Sequence, residues 1–194
     1  MKMNPVQNLS RMMNWSKLSV VAFAALLIAC DDDPEAVNEE ELITTVQVDL
    51  FFGDSDTPSA TLKFYDEDGD GSIAPEFTQE GEIYTGVEYL AVTTFLNEEE
   101  TPVEDVTAEI EEEQNDHLIC FTRTGAVTSA VAFDEDDNEI PVGLVSIWET
   151  SNTPGAATVK LTLKHQPGIK TGSCDIGETD IEVTFSFDVI QQPL

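Results

Sequence analysis

The last strand-like segment of this chain restricts its fold more than any other feature. Ile181, Val183, Phe185, Phe187 and Val189 alternate with Glu182, Thr184, Ser186 and Asp188. An extended backbone sends successive side chains to opposite faces, so this pattern demands one dry face and one wet face. A helix would spread the same apolar residues around its axis and bury no continuous stripe. The same period recurs in Val46, Val48 and Leu50, and again in Ala60, Leu62 and Phe64, with polar residues or Tyr65 between and after them. Further strand candidates are Glu82 to Leu96, His117 to Thr122, Ala126 to Phe133, Val142 to Glu149 and Ala156 to Lys164. Turn-forming clusters such as Asp54-Ser55-Asp56-Thr57-Pro58 and Ser151-Asn152-Thr153-Pro154-Gly155 separate them. Short strands with such punctuation predict an all-β domain, an antiparallel immunoglobulin-like β-sandwich of about eight strands.

One segment departs from that period. Thr101-Pro102-Val103-Glu104 offers a hydroxyl cap, a proline at the first helical position and a glutamate three residues after the cap. Together these form a capping box. Val103, Val106 and Ile110 then follow at helical spacing, predicting one short helix crossing between strands. Its last turn is Glu111-Glu112-Glu113, where carboxylates meet the negative end of the helix dipole, so the helix should fray early.

Ahead of the strands stands a leader with Lys2, Arg11 and Lys17, no acid, and the apolar run Leu18 to Ala29, ending at Cys30. The basic, apolar and small-residue order is that of a secretory signal, and the apolar run is too short to span a bilayer. A small residue followed by cysteine is how bacterial lipoproteins begin. Residues 1–29 are therefore expected to be a lipoprotein signal peptide, and Cys30 the acylated residue, palmitate being among its acyl chains. Residues 30–41 follow as the lipidated cysteine and an acidic tether, with seven acids between Asp31 and Glu41. Like charges and Pro34 keep such a stretch extended, with a reach of about 36 Å. Residues 42–194 remain for the sandwich, a length that suits one domain and buries a core without a metal or disulfide.

Removal of the leader would leave Lys63, Arg123, Lys160, Lys164 and Lys170 against all 39 carboxylates. Nucleic acid and anionic lipid headgroups are recognised by clusters of Lys and Arg, so a nucleic-acid partner is excluded and membrane contact falls to the lipid anchor. Solubility is the simplest role for the acidic surface, and cation binding the more specific one.

Three motifs bear on chemistry. Asp66-Glu67-Asp68-Gly69-Asp70-Gly71-Ser72-Ile73 matches the first eight positions of an EF-hand calcium loop, with Asp66, Asp68 and Asp70 as alternate carboxylates and Ser72 supplying its carbonyl. The match then stops, because position 12 is Phe77 and Pro75 blocks the usual following helix. The readings left are a calcium-type loop joining two strands, and an acidic hairpin whose glycines serve positive φ. A second acidic turn, Asp134-Glu135-Asp136-Asp137-Asn138-Glu139, lacks the glycine.

Phe52-Gly53-Asp54-Ser55 repeats the Gly-Asp-Ser start of lipase-like esterases. No histidine follows an aspartate at the spacing those enzymes use, and a serine without a neighbouring base is a weak nucleophile. Ser55 is thus a poor hydrolase candidate, and no catalytic residue is assigned. Cys120 and Cys174 form an even pair once Cys30 is acylated, leaving two readings, an exported disulfide or two free thiols. Two cysteines and two scattered histidines, His117 and His165, show no zinc-ligand spacing, and His165 reads as a turn residue.

Several blocks carry a resemblance: Asn38 to Val46, the turn from Asp66, Tyr84-Thr85-Gly86, Leu96-Asn97-Glu98, Glu111 to His117, Leu163 to Pro167, and Gly177 to Val183. Together they resemble a family of small acidic Bacteroidetes cell-envelope lipoproteins. The resemblance implies an exported, lipid-anchored β-domain at the cell outer membrane, and the acids beside Cys30 resemble that phylum's surface-export signal. The expected function is a non-enzymatic surface module that binds or accompanies a cell-envelope component, an envelope protein or glycan, with calcium as the candidate stabilising cofactor. A glycan-binding module is the alternative. Exposed aromatic faces make carbohydrate platforms, so Trp148, Tyr65, Tyr84 and Tyr89 would have to lie exposed and coplanar for it.

Overall fold

A computed structural model describes residues 42–69 and 71–193. The signal peptide, Cys30, the tether Asp31 to Glu41 and Asp70 lie outside the described residues. Among the described residues, ten strands and one helix follow in the order β1 (Thr45–Phe51), β2 (Ala60–Tyr65), β3 (Glu76–Gly81), β4 (Ile83–Tyr84), β5 (Glu88–Leu96), α1 (Val106–Glu112), β6 (His117–Gly125), β7 (Val127–Ala132), β8 (Val145–Thr150), β9 (Gly155–His165) and β10 (Glu178–Ile190). They form a six-stranded sheet, β3-β2-β1-β5-β8-β7, and a four-stranded sheet, β4-β10-β9-β6. Neighbours are antiparallel except the two-residue β4, which runs parallel to β10.

The alternation read from the sequence becomes the core. Val46, Val48 and Leu50 of β1 are fully buried, as are Val159, Leu161 and Leu163 of β9, and Val183 and Phe185 of β10 retain 2 % exposure. Trp148 of β8 stacks on Phe187 of β10 and meets Phe121 of β6 edge-on, so its indole sits between the two sheets. Its N–H donates to Ser146 Oγ at 3.0 Å, satisfying the one polar atom that this large side chain carries inside. No helix among the described residues is long and apolar enough to cross a membrane.

Three departures from the sequence reading have physical causes. The stretch Glu82 to Leu96 is two strands, broken where Gly86 takes φ +67° and its N–H donates to Ser151 O. β3 has no counterpart among the strand candidates, because Glu76–Gly81 is exposed along its whole length and shows no alternation. It exists through backbone pairing to β2, and through Phe77, whose ring packs edge-on against Phe64 and Phe185.

The predicted capping box does not form: α1 starts at Val106 after Asp105, without a side-chain cap bond. Glu104 instead exchanges two backbone hydrogen bonds with Asn97 and accepts from Asn97 Nδ2 at 3.0 Å. That bridge holds Glu104 off the helix, and the helix keeps only the buried Val106 and Ile110 of the predicted stripe, Val103 being exposed.

The connections gather at two ends. The β1–β2, β4–β5, β6–β7 and β8–β9 turns share one end. The β2–β3 turn, α1, the β7–β8 loop and the β9–β10 loop share the other, joined by bonds from Ile119 N to Val142 O (2.7 Å) and from Gln166 N to Asp116 O (2.6 Å).

Candidate functional site

The acidic turn between β2 and β3 lies at the second end. The Asp66 N–H donates to Thr44 O at 2.8 Å, which seats the turn against the chain entering β1. Asp66 is 7 % exposed and Asp68 half-buried. Asp68 Oδ2 accepts from Ile73 N at 2.8 Å, closing the loop over itself. The other oxygen, Oδ1, of both carboxylates is shielded from solvent and has no hydrogen-bond partner. Burial, and then the hydrogen bond and charge of Asp68, raise the Asp66 carboxyl above its ordinary range, against backbone N–H groups of Gly71 and Asp68 that pull it down.

Gly69 and Gly71 both take positive φ, as either sequence reading of the turn requires. Ser72 is exposed. The turn therefore joins two strands, with Glu76 directly across the sheet from Tyr65. Two sheltered carboxylate oxygens without donors are the chemistry a hard cation satisfies.

The second acidic turn is already supplied with a cation. Asp136 and Lys170 form an ion pair at 2.9 Å, their side chains 0 % and 2 % exposed. Asp136 Oδ1 also accepts from Asn138 N at 2.8 Å and Ile140 N at 3.0 Å. Burial alone would raise this carboxyl; Lys170 and the two N–H groups outweigh it and hold it below the ordinary aspartate range. Lys170 Nζ also donates to Gln114 O at 2.7 Å, so one ammonium ties the β9–β10 loop to the β7–β8 loop and to the chain after α1. Cys120 of β6 is disulfide-bonded to Cys174 in the same loop. Gln166 Nε2 donates to Ser173 O and Ile176 O, 2.8 and 2.9 Å away, pinning the loop's two limbs together.

The fold also brings together two histidines that looked scattered along the chain. His117 opens β6, His165 closes β9, and the antiparallel register sets them directly opposite one another. Their rings stack with centroids 4.7 Å apart and planes 8° from parallel. His117 is 1 % exposed, and its Nδ1 lies 3.2 Å from Glu113 O. Burial, and next the neighbouring His165, hold its pKa below the ordinary histidine range. One ligand atom each from Glu113, His117 and His165 lies within 4.8 Å of the others. The reading of His165 as a plain turn residue is thus corrected: it ends a strand beside a second imidazole. Gly177 makes room here. At φ +79° it passes so close to His165 O that a Cβ would collide with that carbonyl.

The remaining candidates do not assemble. Ser55 Oγ donates to Thr57 O and accepts from Thr57 N in an exposed turn after β1, at the opposite end from both histidines. Trp148 and Tyr89 are 1 % exposed, Tyr65 and Tyr84 half-buried, so the four do not make a coplanar aromatic face. Set against known protein families, curated proteins and solved structures, the chain matches none of them.

Proposed function

We propose that this protein is an exported lipoprotein, anchored in the cell outer membrane through acylated Cys30 and held off the lipid by the acids that follow, where it binds or accompanies another envelope protein without catalysing a reaction. The observation that carries this reading is the Cys120–Cys174 bond in a chain whose leader ends Ala29-Cys30. Disulfides persist outside the reducing cytosol, the compartment to which such a leader delivers its cargo. The closure of the Ser55 hydroxyl on Thr57 in an exposed turn, at the opposite end from both histidines, supports a non-enzymatic role, and the interior positions of Trp148 and Tyr89 favour a protein partner over a glycan.

Calcium belongs to the same reading. The donor-less Oδ1 atoms of Asp66 and Asp68 support a weak stabilising site to which Asp70 and the Ser72 carbonyl would add. Extracellular calcium modules bind with Kd of about 10⁻⁴ to 10⁻³ M, and a loop with Phe77 in place of the bidentate twelfth ligand belongs at the weak end.

Metabolic labelling with a fatty-acid probe tests the anchor: label should enter the wild type and be lost in Cys30→Ala, together with membrane retention. An unlabelled chain that keeps the Met1 terminus would overturn the reading. Surface display is tested by protease treatment of whole cells, with Asp31, Asp32 and Asp33 intact or replaced by alanine. The domain should be cut from the wild type and protected in the variant, and equal protection of both would refute display.

A further inference from the structure

We infer that Glu113, His117 and His165 form a binding site for one late first-row divalent cation, of which zinc is the representative. The donor set is two imidazole nitrogens and one carboxylate oxygen, which suits zinc and its neighbours and not calcium, whose ligands are oxygens. Three protein ligands leave a fourth, tetrahedral position for water. At ordinary zinc bond lengths, ligand atoms stand about 3.3 Å apart. One ligand atom from each group already lies within 4.8 Å of the others, so their separations exceed the bound spacing by no more than about 1.5 Å.

The surroundings prepare His117 for this role. The Glu113 carbonyl can only accept, so it takes the proton of Nδ1 and leaves the lone pair on Nε2. A ligating histidine whose other nitrogen donates to a backbone carbonyl is the usual outer-shell arrangement, fixing tautomer and ring together. Parallel rings hold their lone pairs in parallel planes, so a shared ion requires one imidazole to turn. His117 is buried and hydrogen-bonded, whereas His165 is half-exposed at the end of its strand and is the ring that turns.

Charge favours a cation as well. Glu113 is the C-cap of α1 and follows Glu111 and Glu112, so three carboxylates stand at the negative end of the helix with no basic residue in its last turn. The ammonium of Lys170, which donates to Gln114 O, is itself paired with Asp136. A divalent ion on Glu113 would offset repulsion that the sequence otherwise leaves in place.

The test uses the full chain, purified in detergent, washed with chelator and kept oxidised so that Cys120 and Cys174 cannot serve as ligands. Zinc is titrated in by calorimetry in the presence of excess calcium, and the histidine ring nitrogens are followed by NMR. One saturable equivalent is expected, with the ring signals of both His117 and His165 shifting. His165→Gln and Glu113→Gln, at exposed or half-exposed positions that spare the core, should each weaken binding at least about tenfold. Asp66→Asn should leave it unchanged, which separates this site from the acidic turn. Absence of a saturable equivalent, histidine signals that do not move, or wild-type affinity in either variant would overturn the site.

Discussion

Replacing Lys170 by methionine should be among the most damaging single changes available outside the apolar core. The ammonium sits 2.9 Å from Asp136 with both side chains almost wholly out of water, and methionine keeps the stem while deleting the charge. Asp136 is left as a buried carboxylate, and Gln114 O loses its donor. Breaking one partner of a buried pair costs about 3–5 kcal/mol. Asp136 keeps its N–H bonds from Asn138 and Ile140, which places the loss near the lower bound, about 3 kcal/mol.

Urea unfolding of the full chain followed by tryptophan fluorescence measures the loss, Trp148 being the core reporter. The double variant Lys170→Met/Asp136→Asn removes the stranded charge and keeps an acceptor for both N–H groups. It should recover part of the stability, on the order of 1–2 kcal/mol.

The pH dependence has a defined sign. Asp136 is held below the ordinary aspartate range when folded, so its wild-type contribution is present above the unfolded pKa of about 3.9 and is lost as pH falls through the lower folded value. Without Lys170 the same carboxyl loses its charge partner and should titrate above its wild-type folded value. The deficit of Lys170→Met relative to wild type should therefore shrink as pH is lowered into the acid range and through the wild-type folded value, below about 3.9. A loss below about 1 kcal/mol, or a deficit that stays constant with pH, would refute the idea that this pair is a stabilising tie between loops.

Two further outcomes follow from the same end of the sandwich. Replacing Cys120 and Cys174 together by alanine opens a cross-link spanning 54 residues and should cost on the order of 4 kcal/mol in the chain-entropy model, read as a lower urea midpoint; an unchanged midpoint would argue against the bond. Asp66→Asn should raise the melting temperature in chelator, because it removes a sheltered charge beside Asp68. It should also abolish a calcium-specific stabilisation of about 1.4 kcal/mol at ten times Kd, measured against sodium chloride of equal ionic strength. A calcium response equal in both proteins would leave only general screening of the acidic surface.

The alternation in β1, β2, β9 and β10 was legible along the chain because burial on one face of a strand has period two, and no longer-range information is needed to see it. The same held for the helical spacing of Val106 and Ile110, and for the even pair of cysteines. β3 was not legible: Glu76–Gly81 owes its existence to hydrogen bonds with β2, and an exposed edge strand carries no apolar signature. The capping box at Thr101 had the right residues, yet Glu104 found a stronger competitor in Asn97 once β5 had placed it there.

The site residues divide on the same line. Asp66 and Asp68 stand close in sequence, so their carboxylates could be anticipated as neighbours, but which of their oxygens would lack a donor depended on how the turn packs against Thr44. His117 and His165 are joined through the β6–β9 register, and Asp136 and Lys170 through the packing of the β7–β8 loop against the β9–β10 loop. Local sequence records which way a side chain points relative to its neighbours. Which distant side chain it meets is a property of strand order and register, and these are settled collectively, by burying all of the dry faces at once.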